Sequence, residues 1–302
     1  MFKKLGVVVA IAVSLLFAQM GQAAAAADAP EKKMTAEEFV ASLKFQQGKI
    51  TLQNGIAHLN LSPSFRYLSP EDAEKVLVDA WGNPPGAKTL GMIFPANLSP
   101  LSAASWGVVV TYDEDGHVKD DDADSINYDD LLKEMKEANL ASNEERKKAG
   151  YAPMTLVGWA EKPSYDKASH KFYWAKEFSG SKAGENSLNY NIRVLGRKGV
   201  LVLNAVAGME QITEVKKEMQ NVVAFTEFVD GNRYADFDAK SDKVAEYGLA
   251  ALVAGGVAAK LGFFGKIFAM LLAFKKILLV GLAAAGTALA KLFGKKKDGD
   301  TA

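Results

Sequence analysis

Cysteine is absent from the 302 residues of this chain. That absence excludes a disulfide framework, a thiolate nucleophile and a Cys-ligated metal, so the folded part must be held by its hydrophobic core. Histidine is nearly as scarce: His58, His117 and His170 are far apart and show no zinc-helix spacing. No Gly-x-Ser-x-Gly elbow, phosphate loop or dinucleotide fingerprint occurs, and Gly196-Arg-Lys-Gly199 reads as a turn between strands. Neither a cofactor nor a metal site is expected, and the leading expectation is a protein without enzymatic activity. The alternatives are a hydrolase acting on an envelope substrate, with Glu161 and Asp166 as the carboxylate pair since the separation of such a pair is set by the fold, or a structural or stress-related membrane protein.

Acidic residues are missing from one region. Lys260, Lys266, Lys275, Lys276, Lys291 and Lys295 to Lys297 stand in the tail with no acid among them, although the whole chain has zero net charge. The preceding domain therefore carries the acidic excess. A nucleic-acid partner, which calls for a basic groove on the folded domain, is not expected.

Both ends carry address information. Met-Phe-Lys-Lys, the uncharged run Leu5 to Met20 and the small residues Gly21 to Ala27 have the order of a secretory signal peptide. The signal is assigned to residues 1–26, with cleavage between Ala23 and Ala27. At the other end, residues 243–294 are mostly Ala, Leu, Gly, Val and Phe, in two blocks split by Lys275 and Lys276. No uncharged stretch there reaches the ~18 residues of a simple span, so a membrane anchor relies on lysines snorkelling from the block ends. One span preceded by an interfacial helix leaves the basic tail, 295–302, in the cytoplasm, as positive-inside bias prefers. A two-span hairpin instead places Lys275 and Lys276 in a cytoplasmic turn. Either way the expected location is a bacterial inner membrane, with the lipid bilayer as a partner and the folded domain in the periplasm.

Between the ends, residues 27–48 read as a linker and a short helix opened by the capping box Thr35-Ala-Glu-Glu38. The domain is expected over 49–240. Lys49 to Gln53 and Ile56 to Asn60 alternate around Asn54-Gly55, a strong hairpin signal. Ser69-Pro70 opens a helix to about Ala80, Gly91 to Pro95 and Trp106 to Tyr112 read as strands, and Tyr128 to Ala138 is a helix. Four further strands are expected at Thr155 to Glu161, Lys171 to Phe178, Ser187 to Leu195 and Val200 to Ala207. Ile212, Val215, Met219, Val222 and Val223 fall at helical spacing, and Ser241-Asp242 is read as the cap of the helix entering the anchor. Hairpins in series with helices at their edges predict an α+β fold with a mostly antiparallel sheet. This order of elements resembles a Mog1/PsbP-like sandwich, followed here by a C-terminal transmembrane segment.

Trp81-Gly-Asn-Pro-Pro85, Asp120-Asp-Asp-Ala123, Gly158-Trp-Ala-Glu161, Leu188-Asn-Tyr-Asn-Ile-Arg-Val-Leu-Gly-Arg197 and Tyr247-Gly248 occur together in this order. On these segments the chain resembles the bacterial envelope family numbered 2167 in the domain-of-unknown-function series, described as membrane-anchored. The resemblance runs from about Lys49 through the anchor; His117 departs from it, standing where a Tyr is expected. It implies architecture and location and supplies no catalytic residues.

Two constellations bear on function. Asp113 to Asp124 is rich in acids, but with glycine at position four counted from Asp113 it does not follow the EF-hand template, and it reads as a turn and a solvated loop. In the strand Leu188 to Val194, alternation puts Asn189, Asn191 and Arg193 on one face, opposite Leu188, Tyr190, Ile192 and Val194. Such a row of amide and guanidinium donors suits an anionic ligand or an envelope protein partner, unless Arg193 pairs with Glu161 or Asp166. Trp81, Trp159 and Trp174 are candidates to line a cleft beside it. The candidate ligand-binding set is Asn189, Asn191, Arg193, Glu161 and Trp81.

Overall fold

A computed structural model describes residues 34–182 and 185–254. The signal segment and the anchor beyond Ala254 lie outside the described residues, and within them no helix is long and apolar enough to cross a membrane.

Helix α1 (Ala36–Ser42) precedes strands β1 (Lys49–Thr51) and β2 (Ala57–Asn60), an antiparallel hairpin. Asn54 and Gly55 turn its loop with φ of 63° and 64°, the left-handed region these residue types enter at least cost. Strand β3 (Phe65–Leu68) comes next, then helix α2 (Pro70–Lys75), on which Ser69 Oγ accepts a bond from the Asp72 amide. The last turn, Val76–Ala80, widens to i→i−5 bonding, with Trp81 N donating to Val76 O at 2.9 Å.

Strands β4 (Gly91–Pro95) and β5 (Gly107–Asp113) lead to helix α3 (Tyr128–Lys148). Four long strands follow: β6 (Thr155–Asp166), β7 (Lys171–Lys182), β8 (Glu185–Leu195) and β9 (Val200–Gly208). Helix α4 (Ile212–Ala224), strand β10 (Thr226–Phe228) and helix α5 (Leu249–Ala254) complete the described part.

The strands form two antiparallel sheets, a three-stranded one of order β1-β2-β10 and a seven-stranded one of order β3-β4-β5-β9-β8-β7-β6. One face of the large sheet shares a core with the small sheet and α4: Val108, Val110, Leu188, Tyr190, Ile192, Leu201 and Leu203 meet Leu59, Val215, Met219 and Val222. Burying each of these aliphatic side chains contributes roughly 1.5–3 kcal/mol. The other face is covered in two places. At the β3–β4 end, Val76 and Leu77 pack with Met92 and Phe94. At the β6–β9 end, α3 and α5 pack Met135, Leu249, Leu252 and Val253 against Leu156, Phe172, Trp174 and Val200. The fold is thus α+β and mostly antiparallel.

Three elements differ from the sequence reading. Strand β3 was not expected; its core residues Phe65 and Tyr67 flank Arg66, and its pairing with β4 is set by the sheet. Helix α3 continues ten residues past Ala138, held there by amides: Asn143 bonds both the N–H and C=O of Met154, and Asn139 Oδ1 accepts from Leu156 N. Ser241 and Asp242 cap no helix. Asp242 instead takes the guanidinium of Arg197 at 2.7 Å, and residues 243–245 run beside the turn at Gly116, with His117 N donating to Lys243 O and Ala245 N to His117 O, each at 2.8 Å. Gly116 has φ 113°, and a Cβ there would lie 2.8 Å from Lys243 O, so a side chain is barred by this close approach. Residues 243–254, read from sequence as the start of the anchor, pack on the folded domain.

Candidate functional site

Alternation along β8 is kept without a break, and its two faces have different fates. Leu188, Tyr190, Ile192 and Val194 enter the core with α4, while Asn189, Asn191 and Arg193 point to the face carrying α3 and α5. Strand pairing sets the neighbours of that row. Lys176, Trp174 and Phe172 of β7 lie opposite Asn189, Asn191 and Arg193 in turn, and Asn204 of β9 lies opposite Asn191.

The Arg193 guanidinium sits 4.9 Å from the centre of the Trp174 ring, a cation–π contact, with Nη1 3.4 Å from both Asn191 Oδ1 and Ile192 O. Burial pushes its pKa down to about 10, partly offset by Asp113 and Tyr247. Lys176 is perturbed in the same direction: burial, and then the charge of Arg193, push its ammonium down to about 8. Among the described residues Lys176 makes no ion pair or hydrogen bond; its one specific contact is the Phe178 ring, 6.0 Å away. Two further polar atoms on this face, Trp174 Nε1 and Asn204 Oδ1, are buried with no hydrogen-bond partner among the described residues. Asn204 Nδ2 reaches Asn189 Oδ1 at 3.4 Å, and Asn191 Nδ2 reaches Asn189 O at 3.0 Å. The chemical character of the patch is two desolvated cations beside an array of amides, with donor and acceptor capacity left over.

Two residues expected in this set are elsewhere. Glu161 lies on the opposite face, where its Oε1 takes Lys216 Nζ of α4 at 2.9 Å. The cause is a β-bulge between Trp159 and Glu161: Trp159 pairs with Lys176, but Glu161 pairs with Ala175, one position out of phase. Trp81 lies at the far end of the sheet, packed edge-on against Phe94 at 6.0 Å, and its Nε1 donates to Pro100 O at 3.0 Å. Asp166, the other carboxylate considered for Arg193, closes its own turn, accepting from Ala168 N and Ser169 Oγ. Trp159 and Trp174 stand on the same face as the row, with Trp174 fully buried in the core that α3 and α5 cover and Trp159 packed against that core. Lys176 was missed; in sequence it is one polar residue between Trp174 and Phe178 on a strand face.

The acidic segment also departs from expectation. Asp120 is partly buried, accepting from Tyr165 Oη at 2.7 Å and Tyr234 Oη at 3.2 Å, with His170 Nδ1 3.4 Å away. Burial would raise its pKa, yet those hydroxyls and the charge of His170 outweigh it and hold the carboxyl below its ordinary value. His117 stacks on Phe237 at 3.9 Å and leans on Tyr234, on whose ring His170 also stacks at 4.0 Å. An imidazole thus fills the aromatic position noted at His117. The cluster fastens the segment before α5 to the ends of β6 and β7. Among the described residues no group of three or more His, Asp or Glu side chains is placed to hold a metal ion.

Solved structures similar to this chain include two that are each 10% identical to it. The solution structure of cyanobacterial PsbP (CyanoP) from Synechocystis sp. PCC 6803 has a TM-score of 0.34, covering 62% of this chain and 94% of that one. A point mutant of the protein Mog1 has a TM-score of 0.32, covering 61% of this chain and 97% of that one. No curated protein matches. A family model described as a protein of unknown function matches residues 44–286, and the chain belongs to that family, DUF2167.

Proposed function

We propose that this chain is an exported, membrane-anchored domain of the bacterial envelope, without enzymatic activity, that binds an anionic ligand on the β7–β8–β9 face at Arg193. The signal-like first 26 residues and the lysine-flanked apolar blocks after Ala254 support the location, with the folded part on the periplasmic side of the inner membrane. The observation that carries the ligand reading is the environment of Arg193. Neither Glu161 nor Asp166 meets it, since the first is bound by Lys216 across the sheet and the second closes its own turn, and Asp113 offsets the burial of Arg193 only in part. The same separation weakens the hydrolase reading, because the two carboxylates proposed for it are engaged in different places.

The test is Arg193→Ala in the full chain. The expected result is a small change in melting temperature, with loss of anion binding and of the cellular phenotype of the gene. Removing one partner of a buried ion pair costs ~3–5 kcal/mol, so a fall in stability of that size would assign Arg193 to the fold and end the ligand reading. A reporter fused after Ala302 tests the location: cytoplasmic activity fits one span, and periplasmic activity fits the hairpin. A chain that is never exported would sink the proposal.

A further inference from the structure

His117 grips the chain leading to α5 with its backbone and its side chain at once. The backbone N–H donates to Lys243 O and the C=O accepts from Ala245 N, each at 2.8 Å. The imidazole is stacked on Phe237 at 3.9 Å and tilted against Tyr234 at 4.3 Å. Carboxylates of the same segment add two fastenings, Asp115 to Tyr247 Oη at 2.9 Å and Asp122 to Leu249 N at 3.2 Å. We propose that His117 is a proton-sensitive latch on residues 234–249, closed when its imidazole is neutral and loosened when it is protonated. The proposal is independent of the anion reading.

The surroundings of the ring suit its neutral form. His117 is buried, and its Nδ1 has no hydrogen-bond partner among the described residues. A protonated imidazole is a donor at both nitrogens, so the charged ring leaves an unsatisfied N–H inside the fold. The charged groups near it are taken up by other partners. Asp242 of the strap holds Arg197 of the β8–β9 turn, and Asp120, from the same segment as His117, accepts from Tyr165 and Tyr234. His170 lies on Tyr234, 4.0 Å from that ring, with its Nδ1 3.4 Å from Asp120.

The electrostatic balance has the same direction. Burial lowers the affinity of the ring for a proton and outweighs the carbonyls of Gly196 and Arg197 and the charges of Asp120 and Asp242, which favour it, so the pKa lies below its ordinary 6.5. Above 6.5 the ring is neutral whether the strap is closed or open. As pH falls from there through the depressed value, the open form takes up a proton that the closed form refuses, and opening becomes easier. An ordinary imidazole at pH 5 is protonated over neutral by about thirtyfold, which is the ceiling on the gain in opening. The same residue thus supplies the backbone clasp and the group whose charge works against it.

Amide hydrogen exchange of the full-length protein in phosphatidylcholine nanodiscs, read by mass spectrometry from pH 7.5 to 5 and corrected for intrinsic rates, tests the latch. Peptides within residues 237–247 are expected to lose protection by roughly threefold or more on acidification, while peptides from β8 and β9 keep theirs. His117→Phe retains a ring for both stacking contacts and leaves the backbone bonds in place, and it should remove the pH dependence. Exchange at the imidazole C2 carbon follows the titration of His117 itself in the wild type, with an expected midpoint below 6.5. Protection of residues 237–247 that does not change with pH, or a loss that persists in His117→Phe, overturns the proposal. A His117 midpoint at or above 6.5 overturns it as well, and that measurement needs no variant to fold.

Discussion

Lys176→Met should make the domain more stable, and the gain should depend on pH. Methionine keeps the length and apolar stem of the lysine and removes only the ammonium, which on this sheet face has neither an ion pair nor a hydrogen bond among the described residues. Burial and Arg193 move the lysine from its ordinary 10.5 down to about 8. At 1.36 kcal/mol per tenfold change, that displacement is worth roughly 3 kcal/mol against the charged form. The side chain is partly exposed, and solvent screening brings the effect to about 1–2 kcal/mol. For a domain of this size it corresponds to a rise in Tm of roughly 2–8 °C near neutral pH. Below about pH 8 the folded and unfolded chains both carry the proton, so the wild type bears the whole penalty. Between there and 10.5 the unfolded chain holds a proton that the folded chain has released, and wild-type stability recovers as pH rises. The assay is thermal denaturation of both proteins in a non-phosphate buffer from pH 6 to 10.5. A variant no more stable than the wild type at pH 7, or a gap that stays constant through alkaline pH, would refute the desolvated-amine argument.

Residues 249–254 should behave as part of the domain. A fragment of residues 36–254 is expected to fold, whereas one ending at Lys240 loses Leu249, Leu252 and Val253 from the core, each worth roughly 1.5–3 kcal/mol, and should show a broadened or absent thermal transition. Asp120→Asn should lower stability by about 1–3 kcal/mol at pH 7, because the amide cannot reproduce the acceptor geometry offered to Tyr165 and Tyr234. Since the folded-state pKa of Asp120 is depressed, its contribution is present above the ordinary carboxylate value and fades as pH falls below about 4, so the two proteins should converge in acid; parallel curves down to pH 2 would contradict this.

Local chemistry made much of the fold legible. The Asn54-Gly55 hairpin, the Ser69-Pro70 helix start, the apolar strand Val200 to Ala207 and the periodic helix from Ile212 each announce themselves within one element. What was hidden depends on partners distant in sequence. Strand β3 is four residues with an arginine inside it and pairs with β4 across an intervening helix. The second half of α3 has no apolar stripe, and Asn139 and Asn143 hold it through backbone groups that sequence does not place nearby. The site was half visible for the same reason. Asn189, Asn191 and Arg193 share a strand, so period-two alternation finds them. Glu161 was misplaced because a bulge shifts its phase, and Lys176 and Asn204 join the row only through strand register.

The packing of α5 also has a mechanical consequence. Leu252 and Val253, buried beneath the sheet, are among the last described residues before the apolar blocks. A pull applied at Ala254 therefore arrives at the core itself. Leu252 and Val253 share a core cluster with Phe172 and Trp174 of β7, and Trp174 is the residue on which the Arg193 guanidinium rests. Tension applied there would accordingly reach the strand face that carries Arg193 before the small sheet on the other side.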